Sequence, residues 1–431
     1  MAMACHRLPS LWRSLHGART YATARYLHSG RSIEFQRRPF HFSSQSKFPR
    51  LGTIRNGYST SPVTEQPCTL TSSSQEETAH IPKQKDRSGP TDLELSNGRV
   101  MLVDGTSIMY RAYYKLLARL SHEDSNIRYA DGNGDWVLTI FRALNLLLDV
   151  LEFLPTHIAV VFDHDGVPYG YGNNSTSSLR LNHAKGLTFR HMLYPQYKAN
   201  RTPTPDTVVQ ALQYLKASVK ALSIKVIEVP GVEADDVIGT LAVNSISAGY
   251  KVRVVSPDKD FFQILSPSLR LLRIATRGSQ MVSFGMEDFH KQYGNLEPSQ
   301  FVDVISLVGD VSDNIPGVEG IGAVKAVNLL SKFGSLENLL DSVDQVEDEK
   351  LKQVLISNAD QARLSKQLAT LRSDLPSYMV PFNTSDMLFS KPQDNGEKFI
   401  TLLKALGAYA EGFNTNSVIL RASRLWTKLN S

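Results

Sequence analysis

The chain has 431 residues, 42% of them hydrophobic, and a net charge of +5; this suits one large globular domain, or two modest ones, plus tails. No run reaches the roughly 20 apolar residues of a membrane-spanning helix, and the only two cysteines, Cys5 and Cys68, precede the first strand pattern, which excludes a disulfide framework or a zinc–thiolate site in the core. The charge is unevenly placed: residues 1–60 hold ten basic residues against one acid, Glu34, so the other 371 sum to −4 and any nucleic-acid contact must come from local patches.

In chain order, residues 1–60 come first. Their opening stretch places Arg7, Arg13, Arg19, Arg25 and Arg31 among Ser, Ala, Thr and His with no acid through residue 33. Arg-rich, Ser-rich and acid-poor is the composition of an organelle transit peptide, and the apolar h-region of a secretory signal is lacking. The mitochondrion is the first choice, with chloroplast or dual import as the alternative. A basic tail that touches nucleic acid is the blander reading. Residues 61–98 are rich in Ser, Thr, Pro, Gln and Glu and read as a disordered linker.

From residue 99, short β-branched runs alternate with helical patterns. Strands are expected at 99–103, 157–162, 225–229, 251–256 and 271–275, and helices at 135–153, 205–222 and 233–248. The first two strands are almost wholly apolar, as in strands buried on both faces. Alternation of this kind predicts an α/β domain over 99–285, a mostly parallel sheet flanked by helices. Beyond residue 287 only helical patterns follow, at 286–293, 298–308, 323–333, 335–342, 349–357 and 360–371. They predict a smaller helical subdomain over 286–375. The extension 376–431 holds one amphipathic helix, 398–413, read as cover for the core. Too little chain follows residue 375 for a polymerase domain.

The acids fall in a pattern. Asp104 follows the apolar run of the first strand and Asp163 that of the second. Asp258, with Asp260 two residues on, follows the strand at 251–256. Ligand sites in open α/β sheets form outside the carboxyl ends of the strands, so separate strands deliver Asp to one edge. Glu233, Asp235 and Asp236 open the helix after the strand at 225–229, and Asp310 and Asp313 follow an apolar helix. Gathered carboxylates repel one another and hold protons unless cations neutralise them. Hard divalent ions do so with oxygen ligands, and two of them can drive phosphodiester hydrolysis. Singly, each acid is more ordinarily a loop residue or a helix cap; the case rests on their joint placement.

The basic segment 190–201 holds Lys198 and Arg201 three residues apart, a spacing that shares one face of a helical turn. Tyr197 beside them is of a type that stacks on bases. The segment Gly317-Val318-Glu319-Gly320-Ile321-Gly322 between two helical patterns reads as a helix-hairpin-helix. Gly317, Gly320 and Gly322 would let backbone N–H groups approach a phosphate, with Lys325 in the first turn of the next helix. Such a contact holds duplex backbone without reading sequence.

The ordered set Leu102-Val103-Asp104-Gly105-Thr106, Phe162-Asp163, Tyr197-Lys198-Ala199-Asn200-Arg201, Glu233-Ala234-Asp235-Asp236, Asp258-Lys259-Asp260 and Gly309-Asp310-Val311-Ser312-Asp313-Asn314-Ile315-Pro316-Gly317 resembles the 5′-nuclease family. That family includes the 5′→3′ exonuclease domain of DNA polymerase I and the flap endonucleases. The likeness covers about 99–375, and with the Arg-rich leader it extends to plant organellar members. The resemblance implies a PIN-like fold and a 5′→3′ DNA exonuclease with 5′-flap endonuclease activity in organelle replication or repair. It implies Asp104, Asp163, Glu233, Asp235, Asp236, Asp258, Asp260, Asp310 and Asp313 as the metal set. Asp163, Glu233, Asp235 and Asp258 would surround a first Mg2+ or Mn2+ ion, and Asp258, Asp260, Asp310 and Asp313 a second. Asp104 and Asp236 would act through water. Residues 182–205 would be the family's arch, with Arg190, Lys198 and Arg201 at the scissile phosphate, and the helix-hairpin-helix would be a place for K+. The implied partners are DNA with free 5′ ends, flaps or nicks and an organellar DNA polymerase, with no membrane and a monomeric chain. The Gly-, Asn- and Ser-rich segment 167–184 looks inserted relative to bacterial relatives. The competing functions are a non-catalytic binding module for branched DNA and an RNase of related fold.

Overall fold

The computed structural model describes residues 98–122, 135–164, 188–275, 280–410 and 414–429. The leader 1–60, the linker through residue 97 and the 167–184 segment lie outside them. The chain enters the sheet as β1 (Arg99–Asp104), passes through α1 (Gly105–His122) and α2 (Asp135–Leu151), and returns as β2 (His157–Phe162). A short helix, α3 (Phe189–Leu193), precedes α4 (Asp206–Ala221), β3 (Lys225–Glu228), α5 (Ala234–Ser247) and β4 (Lys251–Val255). A 3-10 turn (Asp260–Ile264) leads to β5 (Leu269–Ile274) and β6 (Met281–Phe284).

The sheet order is β3-β2-β1-β4-β5-β6, with all pairs parallel except β5 and β6. The chain runs outward from β1 on one side and resumes at β4 on the other. The β1/β4 boundary is therefore the switch point, where a crevice opens at the carboxyl ends of the strands. Successive side chains of a strand face opposite ways, and both faces of β1 are covered. Val100 and Leu102 join one apolar core with α5 and the helices that follow; Met101 and Val103 join a second with α1, α2 and α4. That double burial explains why β1 and β2 read as unbroken apolar runs.

The helical part follows as α6 (Met286–Tyr293), a 3-10 turn (Pro298–Gln300), α7 (Phe301–Val308), α8 (Ala323–Phe333), α9 (Leu336–Asp341), α10 (Glu349–Ser357) and α11 (Ala359–Ala369). The sequence-based boundary at residue 285 does not divide the core. Val252 and Leu271 of the sheet share one apolar cluster with Phe289, Phe301, Leu330 and Leu355. Phe262 stacks on Phe284 at 4.4 Å and meets Phe301 at 5.2 Å and Phe289 at 6.1 Å. Such pairs contribute about 0.5–1.5 kcal/mol each beyond area burial, and here they lock the Asp260 turn to the helix that leads to Asp310.

Three elements differ from the sequence-based expectation. Helix α1 and strand β6 had no counterpart in the sequence reading. The tail helix expected over 398–413 is α12 (Glu397–Gly407), and α13 (Asn416–Leu429) follows. Both complete the second core through Phe399, Leu403, Val418 and Trp426. Arg421 fastens α13 to Asp149 at 2.6 Å and Glu152 at 2.7 Å on or next to α2. Among the described residues, no helix is long and apolar enough to cross a membrane.

A candidate metal and phosphate site at the sheet edge

Asp104 ends β1 and is 5% exposed. It accepts from Ser107 N at 2.8 Å and Ser256 Oγ at 3.0 Å, and it also bonds the Ser107 hydroxyl. Asp163 follows β2; its Oδ1 accepts from Ala234 N at 2.9 Å and so holds the first turn of α5. That contact turns Glu233 and Asp235 toward the same edge. Asp258 follows β4 and accepts from Asp260 N at 2.9 Å, a tight turn that sends both carboxylates to the rim. Asp310 and Asp313 lie in the loop after α7. That loop is closed by paired backbone bonds between Asp310 and Ile315 and by contact between Gly309 and Gly317. Gly317 has φ +62°, and a Cβ there would lie 2.3 Å from Gly309 N.

The electrostatics divide these acids. Burial pushes Asp104 up to about 6 from its ordinary 3.8. Burial, then repulsion from Asp258 and Asp104, pushes Asp235 well up; burial with Asp258 and Asp313 does the same to Asp260. Burial raises Asp258 too. Glu233 goes the other way. Burial opposes its charge, but Lys198 and Arg190 outweigh that and hold it at about 2. Glu233 Oε2 lies 2.8 Å from Lys198 Nζ and 3.4 Å from Arg190 Nη1, while Oε1 accepts from Thr188 Oγ1 at 3.0 Å. Arg201 pairs with Asp313 Oδ1.

Two cavities open along this rim. One, of about 520 Å³, is lined by Asp104, Asp163, Glu233, Asp235 and Asp258 with Lys198 and Arg201. The other, of about 470 Å³, is lined by Asp258, Asp260, Asp310 and Asp313 with Arg201 and Lys259, and reaches Ala323 at the start of α8. They share Arg201, Pro257 and Asp258. Asp104, Asp163, Glu233 and Asp235 thus line the first cavity, Asp260, Asp310 and Asp313 the second, and Asp258 both.

Among the described residues, no three His, Cys, Asp or Glu side chains are gathered tightly enough to hold a metal ion as they stand; Lys198 and Arg201 answer part of the charge instead. The donor set nevertheless fits hard divalent cations, because it is all oxygen and its acids are under mutual repulsion. Asp235 Oδ1 is buried and finds no hydrogen-bond donor among the described residues. Such a group is costly in a finished structure and calls for a partner.

Several sequence-based roles are corrected. Asp236, placed in the metal set, is 1% exposed and lines neither cavity. Its carboxylate takes a bidentate pair from Arg190 at 2.7 and 2.9 Å and a bond from Arg372 N at 2.9 Å. Arg190, expected at the scissile phosphate, is 4% exposed. It spends its remaining N–H groups on the carbonyls of Leu368 and Thr370 at 2.9 and 2.8 Å. Tyr197, expected to stack on a base, is 3% exposed and packs against Val302, Ile315 and Leu368. Lys198 and Arg201 do reach the rim, but through a turn rather than a helix: Lys198 has φ +57°. In the hairpin, Gly317 N is consumed by Ser365 Oγ at 3.1 Å, so Gly317 serves loop closure. Gly320 and Gly322 stand open, with nothing within 4 Å of an added Cβ, and Lys325 is exposed beside them with Nζ 3.2 Å from the Gly320 carbonyl.

Residues that sequence reasoning overlooked line the first cavity. Tyr110, Arg111, Tyr114 and Lys115 come from α1. Tyr114 is 56% exposed and lies 6.3 Å from the Tyr110 ring, stacked. The signal was present: Tyr110/Tyr114 and Arg111/Lys115 are i,i+4 pairs directly after Asp104, a helical face opening at the site.

A model of the 5′-3′ exonuclease N-terminal resolvase-like domain matches residues 173–294, and one of the 5′-3′ exonuclease C-terminal SAM fold matches 296–395. DNA polymerase I of Bacillus caldotenax is 36% identical over 310 residues, 72% of this chain and 31% of that protein. The thermostable DNA polymerase I of Thermus filiformis is 36% identical over 285 residues, 66% of this chain and 30% of that protein. The chain therefore spans under a third of the length of these relatives. Among solved structures, T5 5′-exonuclease with bound zinc aligns at 19% identity and TM-score 0.46, covering 75% of this chain and 99% of that one. The catalytic core of Rad2 in complex with DNA substrate aligns at 16% identity and TM-score 0.46, covering 78% and 95%.

Proposed function

This chain belongs to the 5′-3′ exonuclease family, and from that membership we propose that it is a divalent-metal-dependent nuclease that removes nucleotides from free 5′ DNA ends and cuts 5′ flaps. One observation carries the reading: carboxylates from β1, β2, α5, the turn after β4 and the loop after α7 line two cavities that share Arg201, Pro257 and Asp258, with Lys198 in the first. Asp163, Glu233, Asp235 and Asp258 would hold one Mg2+ or Mn2+ ion, and Asp258, Asp260, Asp310 and Asp313 another. Bound there, the ions supply activation of water and neutralise the charge of the leaving oxygen.

The chain's own groups do the rest. Lys198 and Arg201 are cations seated on Glu233 and Asp313 that can turn to a phosphodiester entering the rim. Asp104, held by Ser107 and Ser256, stands at the wall of the first cavity, where its proton balance responds to the charge beside it. The open Gly320–Gly322 turn, the amino end of α8 and Lys325 would hold duplex backbone next to the second cavity, with K+ as a further ion of that turn.

The leader supports service in organelle DNA replication or repair, in the mitochondrion first and the chloroplast as alternative, alongside a DNA polymerase, with the chain as a monomer. A fusion of residues 1–60 to a fluorescent protein tests the address; a cytosolic signal removes it. The activity is tested with 5′-labelled flap and nicked-duplex DNA in Mg2+ and Mn2+, against EDTA and matched RNA. Short 5′-labelled products from DNA, abolished by EDTA, are expected. Binding without cleavage in either metal would make the chain a branched-DNA binding module, and preference for the RNA would make it an RNase.

A further inference from the structure

We infer that a basic face at the amino ends of β1, β4 and β5 is a second contact for the phosphate backbone of DNA, separate from the carboxylate rim. The inference rests on the reading of the chain as a DNA nuclease. The face follows from strand register. Val100, Val252, Leu269 and Leu271 enter one core, so the residues that alternate with them, Arg99, Lys251, Arg253 and Arg270, belong to the opposite face of the sheet. Arg99 and Lys251 are register partners on β1 and β4, and Arg253 and Arg270 are partners on β4 and β5. Neighbouring strands lie about 4.8 Å apart and the two rows about 6.6 Å apart, so four cations share one small patch. Arg99 and Lys251 are exposed, and Arg253 and Arg270 are half-buried.

The chain supplies little counter-charge. Arg270 meets Asp288 at 3.5 Å, and Lys291 of α6 adds a further cation at 4.0 Å from the same acid. Among the described residues, Asp288 is the only carboxylate within 4 Å of this group. Arg99 donates instead to the Phe153 carbonyl at 3.3 Å, Arg253 to its neighbour's carbonyl, Val252 O, at 3.0 Å, and Arg270 to Ser283 Oγ at 2.9 Å. Like charges side by side on neighbouring strands oppose folding. Burial, and then the charges of Arg99 and Arg270, lower Arg253 from its ordinary value. The residues beyond the leader sum to −4, so this patch runs against the charge of the body that carries it. Its complement is a polyanion, and for a DNA nuclease that is the phosphate backbone. The patch lies at the opposite end of the strands from the rim: Arg99 and Asp104 are the two ends of β1, about 16 Å apart at strand rise. A duplex advances about 3.4 Å per base pair and covers that distance in about five pairs. One arm of a nicked or flapped substrate would rest on the patch while the rim takes its 5′ end. Such contacts orient a duplex without reading its sequence.

The test uses the full chain and the double variant Lys251→Gln/Arg253→Gln, with Lys251→Glu as a single change at an exposed position. Affinity for the nicked duplex is measured in EDTA by fluorescence anisotropy across a salt series, and cleavage is measured in Mg2+. The double variant should bind about tenfold more weakly, with the slope of log affinity against log salt reduced by about two, and Lys251→Glu should reduce it by about one or more. In cleavage the loss should fall on KM for DNA rather than on kcat. Affinity and salt slope equal to those of the wild type in both variants overturn the inference. A loss confined to kcat overturns it too, because the cations would then act through the rim. Absence of both DNA binding and cleavage in the wild type would instead remove the nuclease reading on which the inference stands.

Discussion

Asp235 and Asp236 are consecutive residues at the start of α5, yet they belong to two regions built on opposite principles. Asp236 faces a clamp in which it takes a bidentate pair from Arg190 and a bond from the Arg372 amide, while Arg190 also donates to the carbonyls of Leu368 and Thr370. Asp235 faces the rim, where its neighbours are Asp258, Asp104 and Asp163 and one buried oxygen has no donor among the described residues. A buried charge is tolerable when the chain supplies the counter-charge with full hydrogen bonding. Where the chain withholds it, the deficit points to an external cation. The contrast separates, inside a single Glu-Ala-Asp-Asp motif, a carboxylate whose counter-charge is built in from one whose buried oxygen has no donor among the described residues.

The sharpest way to break the comparison is to remove the clamp's anion. Asp236→Ala removes the bidentate partner of the buried Arg190 guanidinium, leaving only Glu233 at 3.4 Å, and should cost about 3 kcal/mol of stability, read by urea unfolding in EDTA. If the variant is as stable as the wild type, the clamp is not structural. Next comes Asp235→Asn, which keeps the shape of the side chain and removes its charge. Cleavage should fall by about 10²–10³-fold, the range seen when one electrostatic contributor to a transition state is lost. Stability without metal should hold or rise, since a repelling charge is gone. A large loss of stability in EDTA would place Asp235 with Asp236.

The third prediction concerns pH. Asp104 is raised to about 6 when folded against an ordinary 3.8, and Asp235, Asp258 and Asp260 shift in the same direction. A folded state that binds extra protons gains stability below the unfolded pKa and loses it as pH rises through the folded one. These acids therefore favour the metal-free fold at pH 5 over pH 7.5. Glu233, lowered to about 2, acts only below this window. His157 and His191 are lowered chiefly by burial and so oppose the trend within it. The clean observable is the difference between melting curves in Mg2+ and in EDTA. The stabilisation by Mg2+ should grow steadily from pH 5 to 7.5 in the wild type and less so in Asp235→Asn. A pH-independent difference would show that the rim acids are not what the cation meets.

The smallest effect belongs to a third kind of charge, exposed and outside both regions. Lys325→Ala should leave stability and Mg2+ response alone, weaken DNA binding about equally for all sequences, and reduce the slope of log affinity against log salt by about one. An unchanged salt slope would exclude Lys325 from the phosphate contact.

The strand-ending acids Asp104, Asp163 and Asp258 were legible because their signal is local: an apolar run buried on both faces stops at a carboxylate, and parallel strands put such stops on one edge. The family motif likewise pointed to Glu233, Asp235, Asp310 and Asp313. Helix α1 went unread although its Tyr110/Tyr114 and Arg111/Lys115 pairs repeat at helical spacing. Strand β6, four residues paired antiparallel to β5, is too short for a periodic signal of its own.

By itself, then, the order of amino acids determined the α/β alternation, the carboxylate stops and the family, because each depends on near neighbours along the chain. Only the tertiary structure decided which acid of a pair meets a built-in cation, that Arg190 is buried as its partner and that Gly317 closes on Gly309. Those outcomes depend on contacts between residues 8 to 180 positions apart, and no local pattern records which way a side chain turns once the elements that carry it have packed.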